Sequence, residues 1–317
     1  MLVVFYAERK LAAFIQDRMG PTESGRYGTL QAIADLLKMI QKEDIIPSSA
    51  DRPLFLFAPL FIFACVFTGF AVMPLGPGMR PSGMETGLFC MLAVVSLDVA
   101  GLLMAGRGAG NSKFSLLGAM RAASQVISYE VPLGLTVLSA ALLCGSLDLQ
   151  VISAQQGLFS PDKNYLFGLS GLGIDVSANG GILCWNIFRM PLFFLVFVIY
   201  YIATLAECNR APFDLPEGES ELVAGYHTEY SGFRFAIFFL AEYSMMTLVC
   251  MLGAILFLGG WNTPLPNISS LHLADYTSGN PAAFSGMAWG FFWLMSKAIF
   301  LCLTHIWVRW TFPRLRV

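Results

Sequence analysis

The feature that most constrains this chain is a series of mainly apolar segments, each long enough to cross a bilayer as a helix. They occupy residues 54–76, 84–106, 115–146, 188–207, 233–260 and 284–308. A spanning helix needs about 20 such residues, and its backbone polar groups must be satisfied internally. Since 56% of the residues are hydrophobic and only 13% are charged, a soluble globule is excluded. We therefore predict an all-α polytopic membrane helix bundle with six full spans, forming a single integral membrane domain over residues 1–317.

The positions of the basic residues orient the predicted bundle. Fifteen of the 19 Lys and Arg residues fall in the segments 8–52, 107–121 and 207–234 and at the C-terminus. Because basic residues are enriched in cytoplasmic loops, we expect these segments to face the cytoplasm. The apolar stretch Leu2–Ala7 is too short for a span, and we expect it to be the remainder of an incomplete first helix.

The first cytoplasmic loop, residues 8–52, contains a predicted amphipathic helix over residues 27–43. Its apolar residues recur at helical spacing, and they are Leu30, Ile33, Leu37 and Ile40. Polar residues, including Asp35, fall elsewhere on the helix. Such a helix lies along the membrane surface. Two interpretations are open: a plain interfacial anchor, or a helix that roofs a cavity and docks a partner.

The loop over residues 207–234 is unusually acidic for a chain with so little charge. Beside Arg210 and His227 it holds Glu207, Asp214, Glu217, Glu219, Glu221 and Glu229. Asp214 lies three residues before Glu217, and with Pro216 between them this fits a capping box that opens a short helix. Capping explains two of the acids and leaves the others unexplained.

Several ionisable residues lie inside the predicted spans, where each costs about 2.5–3.5 kcal/mol on insertion scales. They are Asp98, Glu130, Glu242, Lys297 and, near span ends, Glu207 and His305. One interpretation is static ion pairing between helices, with Lys297 paired to Glu242 or Asp98. The other, which the number of acids favours, is a path for protons or ions. Pro132 predicts a hydrated break in the helix beside Glu130, because proline lacks a backbone N–H.

The cysteines give no sign of a cofactor or disulfide framework. All seven are scattered singly, without a CxxC pair or a Cys/His cluster, so we predict no metal site. With 19 basic and 21 acidic residues the chain also has no basic footprint for nucleic acid.

Four strings carry a resemblance to a known family. They are AERKLAAFIQDRMGP, ADLLKMIQKEDIIPSSADRPLF, NSKFSLLGAMRAASQVISYEVPL and AECNRAPFDLPEGESELVAGYHTEYSGFRFAIFFLAEY. They resemble the family of the H subunit (also called subunit 1) of respiratory complex I, the proton-pumping NADH:quinone oxidoreductase. The resemblance implies a translocase subunit in a bacterial-type inner membrane that forms the floor of the quinone chamber. It further implies that an acidic channel begins here and leads toward small membrane subunits and the antiporter-like subunits.

Cofactors and site residues follow from the same resemblance. Quinone is the implied substrate, this chain is expected to bind no redox cofactor, and flavin and iron–sulfur clusters are expected on partner subunits of the peripheral arm. The quinone-chamber residues implied are Glu8, Arg9, Asp35, Glu43, Arg52, Arg210, Asp214, Glu217, Glu219, Glu221 and Glu229. Glu130, Glu207 and Glu242 are implied in the proton path and its coupling, with Lys297 and Arg309 as supporting charges.

The chain also departs from the family pattern, and two alternatives are weighed against it. The family has eight spans, so most of the first and the last are expected to be missing, and Asp98 and His305 occupy places expected to be uncharged. One alternative is a membrane subunit of an energy-converting hydrogenase, which uses no quinone. The other is an autonomous ion carrier, which the absence of an inverted repeat in the sequence disfavours.

Overall fold

The computed structural model describes residues 2–110, 112–158, 160, 164–168, 175–176, 180–215, 223–267, 272–280 and 284–314. Their α-helices are α1 (Leu2–Ile15), α2 (Gln31–Gln41), α3 (Arg52–Val72), α4 (Gly87–Gly108), α5 (Lys113–Cys144), α6 (Leu149–Ala154), α7 (Asn186–Arg189), α8 (Phe193–Glu207), α9 (Gly232–Phe257), α10 (Leu273–Thr277) and α11 (Phe284–Thr311). Within these ranges there are two isolated β-bridges and no strand. The predicted all-α bundle is confirmed.

Five helices, α3, α4, α5, α9 and α11, are long and apolar enough to cross a membrane. They have 21 to 32 residues, or about 32–48 Å at 1.5 Å per residue. The span predicted over residues 188–207 is shorter than expected. It divides at Met190–Leu192 into α7 and the 15-residue α8. Pro191, at this division, has no backbone N–H to continue the helix.

The N-terminal helices also differ from the predicted boundaries. Helix α1 continues to Ile15, so Glu8 and Arg9 lie on a helix and not in the loop predicted from residue 8. The surface helix is shorter than predicted and spans Gln31–Gln41. The residues of its predicted apolar stripe are all at least 43% exposed, and they are Leu30, Ile33, Leu37 and Ile40.

Helix α5 is continuous through Pro132, so the predicted break beside Glu130 is wrong. Proline removes one helical hydrogen bond but has a helical φ, and Ser128 donates its hydroxyl to the Ser124 carbonyl one turn earlier, at 2.7 Å. The helix ends at Gly145, whose positive φ of 63° makes a left-handed cap.

Helix α9 lies at the centre of the bundle and packs against α3, α8 and α11, while α4 packs between α3 and α5. Hydrogen bonds then tie the connecting segments together at one end. Asp51 N–H donates to the Gly108 carbonyl, at 3.1 Å, and Ser115 Oγ donates to the Tyr226 carbonyl, at 3.0 Å. We call this end, formed by residues 16–51, 109–110, 208–215, 223–231 and 312–314, the charged side.

Candidate functional site

A cavity of about 870 Å³ lies on the charged side between α1, α2, α9 and α11. Its apolar walls include Leu2, Phe5, Leu36, Met39, Phe235, Phe239 and Leu240. Its polar and charged lining includes Glu8, Arg9, Arg18, Gln31, Asp35, Lys38, Lys42, Tyr243 and Arg309. The amphipathic helix α2 therefore forms one wall of a cavity. This agrees with the second interpretation of the helix, as the roof of a cavity.

A buried ionic cluster surrounds Glu8 at the cavity wall. Glu8 is only 5% exposed, and its two carboxylate oxygens accept from Arg210 Nη1 at 3.0 and 3.2 Å. Arg309 Nη1 donates to Oε1 at 2.5 Å, and the Tyr243 hydroxyl donates to Oε2. The guanidinium of Arg210 also lies 4.4 Å from the centre of the Tyr243 ring. One carboxylate thus joins α1, α9, α11 and the loop after α8.

The charge on Arg210 is firmly held although the side chain is buried. Burial opposes the charged form, but the adjacent Glu8 carboxylate raises the pKa of the Arg210 guanidinium above its usual range. A buried charge of this kind is stable only when paired and hydrogen-bonded. The Glu8–Arg210 pair therefore gives the inner wall of the cavity a fixed polar surface.

A second polar line joins α1 to α2. Arg9 forms an ion pair with Asp35, and its guanidinium lies 4.8 Å from the centre of the Phe5 ring. Gln31 donates to Asp35 at 3.0 Å, and Ser24 donates to Gln31 at 2.7 Å. The sequence-predicted residues Arg9 and Asp35 are therefore in direct contact at the cavity.

Three carboxylates lie within the bundle beyond this cluster. Glu242, on α9, accepts a 2.9 Å hydrogen bond from the Tyr226 hydroxyl, and Glu130, on α5, accepts from the Ser96 hydroxyl of α4. Glu207, at the end of α8, is 5% exposed. Its Oε2 has no hydrogen-bond partner within the described ranges.

Asp98, on α4, connects these carboxylates electrostatically. Its charge interacts with Glu242, while Glu207 interacts with both Asp98 and Glu130. Arg210 of the cavity cluster interacts with Glu242. The charges therefore form a continuous series from the cavity wall into the bundle. Asp98, which the sequence left without a role, is its central member.

The acidic loop carries two further groups whose ionisation is changed by burial. Burial raises the pKa of the Asp214 carboxyl, although Arg314 lowers it through an ion pair of 2.6 Å. Burial also lowers the pKa of the His227 imidazole, against the opposite influence of Glu242 and Asp214. His227 is therefore neutral near neutral pH. Arg314 thus ties the C-terminal segment to this loop.

The remaining predicted chamber residues are not part of the main cavity lining. Glu43 lines a separate cavity of about 410 Å³ between the end of α2 and the start of α9. Arg52 is exposed at the first turn of α3, and Glu229 is half-buried. Glu217, Glu219 and Glu221 lie outside the described residues, as does the predicted capping box that includes Glu217.

Lys297 and His305 lie elsewhere on α11. The expected ion pair of Lys297 with Glu242 or Asp98 is not formed in the described structure. Its ammonium instead donates to the carbonyls of Gly260 and Asn262, at 3.0 and 2.6 Å. His305 is 2% exposed and packs against Tyr201 of α8, with 4.7 Å between the ring centres.

Three hydroxyl groups that contact the site were not identified from the sequence. They belong to Tyr243, Tyr226 and Ser96. A tyrosine in an apolar segment needs a partner for its hydroxyl, which is the signal that Tyr243 offers beside Glu242. All seven cysteines are free. Among the described residues no group of His, Cys, Asp and Glu side chains is placed to hold a metal ion.

The fold and site define the class of this protein, an integral membrane helix bundle with a surface cavity and intramembrane carboxylates. All of residues 1–317 match the family described as NADH dehydrogenase. The chain belongs to this family, and within it to the H subunits of NADH-quinone oxidoreductase, the respiratory complex I, that its motifs resemble.

Relatives that are themselves named as H subunits match nearly the whole chain. The H subunit of the NADH-quinone oxidoreductase numbered 2 in Cytophaga hutchinsonii is 58% identical over 99% of this chain and 87% of its own length. The H subunit of the NADH-quinone oxidoreductase of Chlorobium luteolum is 47% identical over 98% of this chain and 76% of its own length. That of Chlorobaculum parvum is 46% identical over 98% and 79%.

Proposed function

We propose that this chain is the subunit of a proton-translocating NADH:quinone oxidoreductase that forms the floor of the quinone chamber. We further propose that the acidic path coupling quinone reduction to proton pumping begins here. The observation that carries the proposal is the position of the cavity between α1 and α2. Its wall holds the Glu8–Arg210 pair, which is electrostatically connected to the carboxylates inside the bundle.

The cavity lining suits a lipid quinone because it combines an apolar surface with a few convergent polar groups. Phe5, Phe235 and Phe239 offer apolar contact to an isoprenoid tail. Arg9, Asp35 and Tyr243 offer donors and acceptors to a quinone ring. The exposed apolar stripe of α2 lies at the membrane surface in this account, so quinone enters from the bilayer between α1 and α2.

The coupling in this proposal is electrostatic. Reduction of the quinone by a cluster on a partner subunit places negative charge near Arg9 and Asp35. In a low-dielectric site a new charge acts strongly on nearby ionisable groups. The series from Arg210 through Glu242 and Asp98 to Glu207 and Glu130 then changes its protonation. That change biases the membrane subunits that pump.

Partners and orientation complete the proposal. We place the charged side in the cytoplasm of a bacterial-type inner membrane, because it holds most of the basic residues. There it faces the peripheral-arm subunits, which carry the flavin and iron–sulfur clusters, while this chain carries no redox centre. The Glu217, Glu219, Glu221 and Glu229 segment, with Glu43 and Arg52 nearby in sequence to α2 and α3, is assigned to the same chamber by resemblance to the family. Lys297 and Arg309 are its supporting charges.

The test is the paired replacement Glu207→Gln and Glu130→Gln in the purified complex. Each variant should lower donor-driven quinone reduction and proton pumping together, because the carboxylate can no longer change charge. Arg80→Gln is the matched control. It removes an exposed ion pair with Asp148, 3.1 Å long, at the opposite end of the bundle. Full coupled activity in both glutamate variants would refute the acidic path.

A further inference from the structure

Residues 42–51, here called the strap, connect α2 to α3 and cross the start of α9. Asp44 of the strap forms a 2.9 Å ion pair with Arg234 in the first turn of α9. The Arg234 side chain is 17% exposed and that of Asp44 is 38% exposed. Ile45 N–H also donates to Ser231 Oγ, at 3.0 Å. The strap is thus fixed to α9 by a charged contact and a backbone hydrogen bond.

Aromatic packing holds Arg234 in position. Its guanidinium lies 5.5 Å from the centre of the Phe55 ring. Phe55 is fully buried and stacks on Tyr230, with 4.1 Å between ring centres and 2° between planes. A guanidinium over an aromatic face is attracted by the ring quadrupole. Arg234 therefore links the strap, the first turn of α3 and the start of α9.

The backbones of the strap and α9 are in close contact at Gly232. Gly232 has a positive φ of 57°, and a Cβ there would lie 2.9 Å from the Glu43 carbonyl oxygen and 3.1 Å from that of Lys42. Such distances require the strap to move. Glycine is therefore needed here, both for its backbone conformation and for the approach of the strap.

These contacts adjoin the main cavity. Met39 and Lys42, at the end of α2, line it from one side, and Phe235 and Phe239 of α9 line it from the other. Phe235 directly follows Arg234 in the chain. The contact between Arg234 and Asp44 therefore determines how far the end of α2 lies from α9, and with it the width of the cavity.

We infer that Arg234 and Asp44 are positioning residues that set the width of the quinone cavity and so the affinity for quinone. The inference rests on the proposed function. Neither side chain lines the main cavity or hydrogen-bonds to the Glu8 cluster. Loosening their contact should therefore weaken binding without changing the chemistry, which raises KM and leaves kcat nearly unchanged.

The test measures kcat and KM for a short-chain quinone, using whichever ubiquinone or menaquinone analogue the wild-type complex reduces. Asp44→Asn and Arg234→Gln should each raise KM about two- to fivefold, the range set by a partly exposed ion pair. The double variant should raise it no further than the single ones. Asp44→Glu should restore a KM near that of the wild type, and Gly232→Ala should raise KM by displacing the strap. Arg80→Gln is again the control.

The outcomes separate the inference from the proposed function. A wild-type complex without inhibitor-sensitive quinone reduction would overturn both. In an active complex, an unchanged KM in Asp44→Asn, or a fall in kcat alone, would overturn only the positioning role. Should Arg234→Gln reduce the amount of assembled complex, Asp44→Asn decides the test, because its side chain is the more exposed partner.

Discussion

The ionic cluster around Glu8 predicts a large difference between two single substitutions. Glu8→Gln removes the carboxylate that neutralises Arg210, whose side chain is 5% exposed. Removing one member of a buried pair costs about 3–5 kcal/mol, because the other charge stays buried without compensation. Arg309→Gln removes a partner that is 31% exposed, and a pair of that exposure is worth about 1 kcal/mol or less.

The assay compares the temperature at which half of each purified complex loses its activity. Glu8→Gln should lower that temperature much more than Arg309→Gln. The double variant Glu8→Gln with Arg210→Met should be more stable than Glu8→Gln alone, because no uncompensated cation is then buried. Equal effects of the two single substitutions, or strict additivity in the double variant, would refute the assignment of Glu8 as the counter-ion of Arg210.

Further predictions concern other parts of the site. Arg314→Gln should raise the pKa of Asp214 further. Since an acid with a raised folded-state pKa loses stability as pH rises through the interval up to that pKa, the half-inactivation temperature should fall more steeply from acid to neutral pH than in wild type, and an unchanged pH dependence would contradict this. Gly118→Ala should destabilise by about 1–3 kcal/mol, because its Cβ would lie 2.7 Å from the loop backbone; Gly134→Ala, with open space around it, is the control and should not destabilise. Asp98→Asn should lower quinone-linked proton pumping while Asp98→Glu retains it, and full pumping in Asp98→Asn would remove this residue from the path.

The helical architecture was predictable because apolar segment length alone determines which parts of the chain cross a membrane. Five of the six predicted spans are long helices in the structure. The span divided at Pro191 shows the limit of that reasoning, since hydropathy does not register the loss of a backbone donor. Pro132 shows the opposite limit, because the surrounding helix remains intact around it.

The site was predictable in its residue types but not in its pairings. Glu8 is separated from Arg210 by 202 positions and from Arg309 by 301, and no periodicity in the sequence reports such contacts. Lys297 was expected to meet a carboxylate, but it binds backbone carbonyls in the turn after α9. Turn geometry of this kind leaves no signal in the spacing of charges.

The most direct test of the account is photolabelling of the purified complex with a photoreactive quinone, followed by mapping of the labelled peptides in this chain. The account predicts label within residues 2–42 and 235–243, which line the cavity, and its loss when excess unlabelled quinone is added. Label confined to other parts of this chain, such as residues 146–158 at the opposite end of the bundle, would contradict the placement of the quinone site. So would label in the cavity that excess quinone does not displace.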